Sequence, residues 1–367
     1  MKRIVRIIAA GLVVTLSCYT ANAQRYLPVN TAAGYLTVAP DARSAALGNI
    51  GAASSPDASS QYWNSSKYVF MPKDIGVSLS YVPWMRNIVN DINLINLAGY
   101  YKLDANQSLS ASLNVMSYGS AYVRNDNSEL ELSSGVSDFS IDVAYARKLG
   151  EGFSAGVAFR YIRAVSGSYQ QKVEYGNAFA VDINAYYALP LNLLSANDEL
   201  AFGLNLSNIG TKIKGSHSDD KYFLPSNLRL GGRLTTVVEN DHKFSLMADI
   251  NKLMVPAPSV DDNGVVDAHL DKSSLAAVFY SFGDSSFSNE LKEMTWASGL
   301  EYTYLSAFSA RLGYFHESTH NGARSYIGFG AGYRYRMATL DLSYSMHTRS
   351  ANPALGDTFR VTLGVLF

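Results

Sequence analysis

The sequence predicts an all-β protein: an antiparallel transmembrane β-barrel of about fourteen strands with an N-terminal plug segment. Three observations support this prediction. The chain starts like a secretory leader, apolar residues alternate with small or polar ones over most of its length, and short connections alternate with long ones. No stretch after the leader reaches the roughly 20 apolar residues of a spanning helix, so a membrane protein with this sequence must be a closed barrel.

The first 23 residues have the order of a signal peptide. Lys2 and Arg3 precede an apolar run at residues 7–16, and small residues follow at 21–23. This run is too short to cross a bilayer as a helix. We therefore expect residues 1–23 to be removed on export.

Composition narrows the range of functions. A formal net charge of −1 gives no reason to expect nucleic acid as a partner. The only cysteine, Cys18, lies in the leader, so we expect neither disulfides nor cysteine-based metal sites. A lipoprotein site at Cys18 is the alternative, although Thr15 stands where such sites usually have leucine.

Residues 24–74 are expected to form the plug inside the barrel. Small residues dominate this segment, it lacks a strand period, and it has no core of its own. The glycines, alanines and serines on the inward faces of the predicted strands would leave room for it.

Residues 75–367 are expected to form the barrel. Leu200, Phe202 and Leu204, for example, alternate with small or polar neighbours, which is the period of a strand with one apolar face. The predicted strands start near Ile75, Ile92, Gln107, Ser137, Phe153, Ala178, Asp198, Ser226, His242, Met294, Phe308, Tyr326, Ala338 and Asp357. Tyrosines expected in the aromatic girdles are Tyr81, Tyr100, Tyr161, Tyr187 and Tyr304.

The connections predict the orientation. Those after even-numbered strands are tight, as at residues 104–106, apart from a longer one at 190–197; those after odd-numbered strands are long, notably 118–136 and 252–293. In outer-membrane barrels the tight turns are periplasmic and the long loops extracellular. We expect the barrel to lie in the outer membrane in this orientation, with both termini periplasmic. Phe367 is expected to be the terminal aromatic residue that the barrel-assembly machinery recognises.

Several short runs resemble one family. They are Ala39-Pro40-Asp41-Ala42-Arg43-Ser44, Trp63-Asn64, Tyr81-Val82-Pro83-Trp84 and Val89-Asn90-Asp91-Ile92-Asn93-Leu94. Together they resemble the PorV family, outer-membrane barrels of the Bacteroidetes type IX secretion system that are similar in fold to fatty-acid transport barrels. The sequence departs from the family at Ser65-Ser66, where proline and alanine are more usual.

The resemblance implies a shuttle without enzymatic activity or a cofactor. Such a barrel receives cargo with a C-terminal sorting domain from the translocon barrel and carries it to a cell-surface attachment complex, whose sortase removes that domain. Two other functions remain open. One is transport of hydrophobic small molecules, and the other is lipopolysaccharide deacylation, for which His242 and His347 are the histidines near strand ends.

Two groups of residues are candidate sites. Trp84, Met85 and Ile88 lie in the first outer loop, where apolar side chains often anchor a protein partner; an aromatic-girdle position is the alternative for Trp84. Charges on inward faces need hydration or a partner, so we expect a plug–barrel network, with a substrate path as the alternative. Its candidate members are Asp41, Arg43, Asp57, Arg160 and Arg334.

Three other patterns are interpreted as structural. Residues 316–320 match H-E-x-x-H, but they follow a predicted strand rather than lie on the helix that a zinc protease needs. Residues 261–264 lack the spaced ligands of a calcium loop. Gly328, Gly330 and Gly332 are expected to be small lumen-facing residues. We therefore predict neither a catalytic residue nor a metal ligand.

Overall fold

The computed structural model describes residues 29–86, 89–124, 130–169, 172–215, 220–260, 266–319, 322–348 and 357–367. Within them, fourteen antiparallel strands form one closed barrel, which confirms the predicted fold. The strands are β1 Ile75–Pro83, β2 Asn93–Lys102, β3 Gln107–Ser117, β4 Ser137–Lys148, β5 Phe153–Tyr169, β6 Lys172–Leu191, β7 Asp198–Gly210, β8 Asn227–Val238, β9 His242–Leu253, β10 Thr295–Tyr304, β11 Phe308–His316, β12 Ser325–Tyr335, β13 Ala338–His347 and β14 Thr358–Leu366. Strand β1 pairs with both β2 and β14, which closes the barrel.

The sixth strand is the one whose predicted start is wrong by more than one residue. It begins at Lys172 rather than near Ala178. Strands β5 and β6 continue to pair with each other beyond Arg163 and before Ala180, where β4 and β7 no longer pair with them. The long connection expected there is therefore replaced by a two-stranded projection.

Between residue 29, the first that the structure describes, and β1, the chain contains only short helical turns. They are a 3-10 turn at Gly34–Thr37, α1 at Ala42–Ala46, α2 at Ser60–Trp63 and a second 3-10 turn at Ser65–Phe70. The Asp41 side chain caps α1 by accepting a hydrogen bond from the Ser44 N–H at 2.8 Å. We call the described part of this segment, residues 29–74, the plug.

Connections differ between the two ends of the barrel. The turns after β2, β4, β6, β8, β10 and β12 form what we call the tight-turn rim, and the other connections form the long-loop rim. Three short hairpins lie in the long loops, Ser120–Arg124 with Leu130–Ser134, Ile213–Lys214 with Lys221–Tyr222, and Ser259–Val260 with Val266–Asp267. The loop between β9 and β10 also holds helices α3, Ser274–Tyr280, and α4, Phe287–Glu293.

The wall has an apolar outer face and a small or polar inner face. Phe159 and Phe179 point outward and are 63% and 64% exposed, which suits contact with lipid. Tyr100, expected in a girdle, instead points inward because it shares the face of Asn96 and Ala98, and it stacks on Tyr68 of the plug. In the part of the chain that the structure describes, each helix is too short or too polar to cross a membrane.

The hydrophobic core lies between the plug and the inner wall. Leu47 and Ile50 of the plug pack against Met247, Ala297 and other inward side chains. The approach is closest where the wall has glycine: a Cβ atom on Gly313 would lie 2.1 Å from the carbonyl carbon of Leu47. These glycines therefore let the plug backbone pass directly against the strands.

The plug runs through the lumen from the long-loop rim to the tight-turn rim. Near its start, the Ala32 N–H donates to the carbonyl oxygen of Phe223 in a long loop at 2.8 Å, whereas β1 begins at the opposite rim. The first described residues thus lie at the long-loop rim, whereas β14 ends at the tight-turn rim; the location of both termini relative to the membrane stays a prediction. The predicted signal peptide lies outside the described residues.

Candidate functional site: the plugged lumen and the long-loop rim

A chain of four buried or half-buried charged pairs ties the plug to the wall. Arg43 of α1 contacts Asp57 at 2.7 Å and Glu301 of β10 at 2.8 Å. Glu301 also accepts a hydrogen bond from Arg311 of β11 at 2.6 Å, and Arg311 reaches Asp341 of β13 at 2.5 Å. Because opposite charges alternate along the chain, each of these charged groups has at least one partner of opposite sign, and the Arg43–Glu301 pair joins plug to wall.

A second attachment uses the plug backbone. The Asp249 carboxylate of β9 accepts hydrogen bonds from the N–H groups of Gly51 at 2.9 Å and Ala52 at 3.1 Å. Arg229 of β8 donates to the carbonyl oxygen of Asn49 at 2.6 Å, and its guanidinium lies 4.5 Å from the ring centre of Trp63. The middle of the plug is therefore held by its main chain, independently of Arg43.

This second attachment predicts a specific mutational result. Asp249→Ala should lower the free energy of unfolding by roughly 2 to 3 kcal/mol, because it leaves two buried N–H groups without their charged acceptor. Hydrogen exchange at the Gly51 and Ala52 amides should accelerate together with this loss. Asp249→Asn keeps an oxygen acceptor and should retain most of the protection; equal exchange in the two variants would argue against the acceptor role.

The five candidate network residues occupy four different places. Arg43 and Asp57 form the direct pair described above, and Asp41 stays within the plug, where it accepts a hydrogen bond from the Trp63 indole at 2.5 Å. Arg160 belongs to a cluster within the wall and contacts Asp142 at 2.5 Å and Asp182 at 2.9 Å. Arg334 is exposed and lines a cavity near the tight-turn rim.

Sequence reasoning did not single out three residues that hold the plug. Glu301, Asp249 and Arg229 all lie on inward faces of strands whose other side is apolar. In the sequence, these residues could have been recognised as charged side chains at inward-facing strand positions, where small residues are usual. That signal marks a buried charge, but it does not identify the plug atom that the charge meets.

Two of the three candidate partner-contact residues, Trp84 and Met85, lie at the long-loop rim. Trp84 is half-buried and packs against an apolar cluster that includes Leu36, Val82 and Met116. Its side chain therefore contacts the plug and the wall and is not fully exposed. Met85 follows with a positive φ of 54° and is also half-buried. Ile88 lies outside the described residues.

A cavity of about 340 Å³ lies between the plug and this rim. Aromatic and apolar side chains, including Tyr35, Trp84 and Met116, line part of it, and Arg360 lines another part. Arg360 is buried, and its Nη1 donates to the Ser345 hydroxyl oxygen at 3.0 Å. The cavity has the mixed walls that an amphipathic small molecule would need.

The H-E-x-x-H pattern, the aspartate-rich run and the two histidines near strand ends were also candidates for chemistry. Glu317 of the H-E-x-x-H pattern forms a two-point contact with Arg324, at 2.7 and 2.9 Å, while His320 lies outside the described residues. Residues 261–264 also lie outside them. His242 shares a hydrogen bond of 2.8 Å with Tyr302, and His347 lines the cavity near the long-loop rim.

An acidic cluster lies in the loop between β9 and β10. The carboxylate oxygens of Asp284, Glu290 and Glu293 lie within 4.8 Å of one another, and the Lys252 amine contacts Glu290 at 2.6 Å and Glu293 at 2.7 Å. Burial, together with the neighbouring acidic groups, raises the pKa of Asp284 to about 6. The lysine thus provides the positive charge that Glu290 and Glu293 share.

Fold and site together define an outer-membrane β-barrel whose lumen is occupied by an ion-paired plug. Solved structures with this architecture include the toluene transporter TodX of Pseudomonas putida, at 12% identity and a TM-score of 0.53, covering 88% of this chain and 97% of that one. Another is the toluene transporter TbuX of Ralstonia pickettii, at 10% identity and a TM-score of 0.51, covering 89% and 98%. At these identities, the likeness is one of fold.

The family model for the type IX secretion system protein PorV matches residues 20–260. The chain therefore belongs to the PorV family and is an outer-membrane component of the type IX secretion system, as the sequence resemblance predicted. Barrels of this family are generally non-enzymatic. Among curated proteins, none matches this sequence.

Proposed function

We propose that this barrel is a cargo shuttle of the type IX secretion system. It binds the C-terminal sorting domain of secreted proteins at the long-loop rim, takes them from the translocon barrel and delivers them to the sortase attachment complex. The observation that carries the proposal is the plug, which is tied to several strands by buried charges and backbone hydrogen bonds. A lumen occupied in this way favours binding on the outer surface over passage through the barrel.

The long-loop rim offers the surface that such binding requires. It carries the β5–β6 projection, three short hairpins and two helices, whereas the tight-turn rim has only brief connections. In this proposal the rim is extracellular, and the segment around Trp84, Met85 and Ile88 contributes to the cargo contact. Trp84 anchors that segment to the barrel, which leaves Met85 and Ile88 as the residues that touch cargo.

A matched pair of variants tests the contact. Met85→Asp should weaken binding of a purified sorting domain by about tenfold or more, because a charge would enter an apolar contact, where key truncations typically cost 1 to 2 kcal/mol or more. Met337→Asp places the same charge in a tight turn on the opposite rim and should leave binding unchanged. Equal affinities for the two variants in vesicles would contradict the proposed location.

Deletion of the gene in its host tests the function as a whole. Proteins that carry the sorting domain should then accumulate uncleaved inside the cell and be missing from the surface. Normal surface delivery of these proteins would overturn the shuttle proposal.

The second candidate function is transport of hydrophobic small molecules. It is favoured by the cavity of about 340 Å³ with aromatic walls and by the toluene transporters that share the fold. In this case the same deletion would impair uptake of an apolar nutrient and leave secretion intact. Deacylation of lipopolysaccharide would instead be lost in His242→Ala or His347→Ala.

A further inference from the structure

The two helices of the loop between β9 and β10 expose large apolar side chains. Phe279 and Phe287 are 77% and 79% exposed, more than Phe159 and Phe179 on the lipid-facing wall. Three further apolar residues of this loop, Leu275, Phe282 and Leu291, are between 47% and 64% exposed. An exposed group of several large apolar side chains indicates a surface that is normally covered by lipid or protein.

Lys252 shows where the loop lies relative to the wall. On β9, Leu246 and Ile250 point outward and are exposed, while Met247 and Asp249 point inward and are buried. The alternation places Lys252 on the outward side, yet its side chain is only 3% exposed. The part of the loop that reaches this amine therefore lies against the outward side of β9, immediately beyond the apolar belt.

Helix α4 provides this cover. Its Glu290 and Glu293 lie one turn apart and both contact the Lys252 amine, at 2.6 and 2.7 Å. The Phe282 ring between the two helices lies 5.6 Å from the same amine. A lysine on the outer wall next to lipid is costly without a partner, and the two carboxylates neutralise it at this position.

The apolar residues form an edge on each helix. Phe287 and Leu291 are four positions apart in α4, adjacent to the face that carries Glu290 and Glu293. Leu275 and Phe279 are likewise four positions apart in α3. The opposite face of α3 carries Ala277, which packs in a cluster with Phe223 and Val255 that Val29 of the plug and Leu253 also join. Each helix thus has a packed or charged face and a separate, exposed apolar edge, as interfacial helices do.

We propose that this loop is a membrane-interface anchor: α3 and α4 lie on the lipid leaflet at the long-loop rim and insert Phe279, Phe287 and their apolar neighbours among its acyl chains. Lipid is the occupant because the apolar edges continue the belt that ends at Ile250, two residues before the covered Lys252. Aromatic side chains are also the ones that settle at the boundary between lipid and water. The anchor would hold one sector of the rim at the membrane.

Nitroxide labels can locate these residues without any partner protein. Because Cys18 is the only cysteine, single-cysteine variants can be prepared in a Cys18→Ser background. The labelled variants are Phe279→Cys and Phe287→Cys, with Phe202→Cys as the control in the apolar belt and Glu239→Cys as the control in an exposed tight turn. The protein is placed in phosphatidylcholine and phosphatidylglycerol vesicles, and collisions with oxygen and with a water-soluble nickel chelate are compared.

Labels at positions 279 and 287 should resemble the label at 202, with high oxygen and low nickel accessibility. Nickel accessibility equal to that at 239 would place the loop in water and overturn the proposal. Low accessibility to both reagents would indicate contact with protein and would overturn it as well. The Glu290→Gln and Glu293→Gln substitutions remove the ion pairs of Lys252. If they raise the nickel accessibility of the labels at 279 and 287, this would further support the role of these ion pairs in positioning the loop.

Discussion

Glu301→Ala should lower the free energy of unfolding by roughly 3 to 5 kcal/mol, because it removes one member of a buried charge chain and leaves two arginines facing each other. In the intact protein Glu301 accepts hydrogen bonds from Arg43 at 2.8 and 2.9 Å and from Arg311 at 2.6 Å. Without it, Arg43 keeps Asp57 and Arg311 keeps Asp341, but nothing joins the plug pair to the wall pair. Urea unfolding in vesicles, followed by tryptophan fluorescence, measures the loss.

Glu199→Ala is the matched control. Glu199 also pairs with an inward arginine, Arg233, but its side chain is 44% exposed. Arg233 would still donate to the Ala53 carbonyl at 3.0 Å and to Tyr186 at 2.9 Å. The expected loss is therefore about 1 kcal/mol or less, and equal losses in the two variants would show that the Glu301 chain contributes no special stability.

Gly313→Ala should displace the plug from the wall. The added methyl group would lie 2.1 Å from the carbonyl carbon of Leu47 and 2.3 Å from the nitrogen of Gly48. Both are backbone atoms, so no side-chain rotation can relieve the overlap, and we expect a loss of stability of roughly 1 to 3 kcal/mol. Faster proteolysis within residues 29–74 and a red shift of tryptophan emission should accompany it.

The control for this variant is Gly232→Ala on β8. A Cβ atom there meets nothing within 4 Å, so the change should stay within about 0.5 kcal/mol. If both alanine variants unfold at the same urea concentration and protect the plug equally, then the glycine contacts are not what seats the plug.

Much of the barrel could be predicted because lipid imposes one rule on every strand. Each strand must turn an apolar face outward, so the alternation locates the strands, and all starts but that of β6 fall within one residue. The rule fails for β6 because its first residues pair with β5 outside the common sheet. It also fails to mark Tyr100 as inward, since a tyrosine suits either the girdle or a contact with the plug.

The site was less predictable than the wall. An inward charge such as Arg160 is visible in the sequence, but its partners Asp142 and Asp182 lie on neighbouring strands and are selected by register. Arg43 meets Glu301 across 258 positions of sequence, and that contact depends on the path of a plug that contains only short helical turns. The charged residues can be read from a single sequence, but the path of the plug through the lumen cannot.

The seam between β1 and β14 links barrel closure to plug placement. Residues 76–81 pair with 361–366 there, and the Thr362 hydroxyl oxygen accepts a hydrogen bond from the Ala42 N–H at 2.9 Å while bonding to Ser80 at 2.9 Å. One side chain therefore touches the first strand, the last strand and the start of α1. The Arg43 and Asp249 contacts also face the lumen, and the site that receives the start of α1 is complete only where these two edges meet. Closure of the cylinder and placement of its occupant thus share one hydroxyl group.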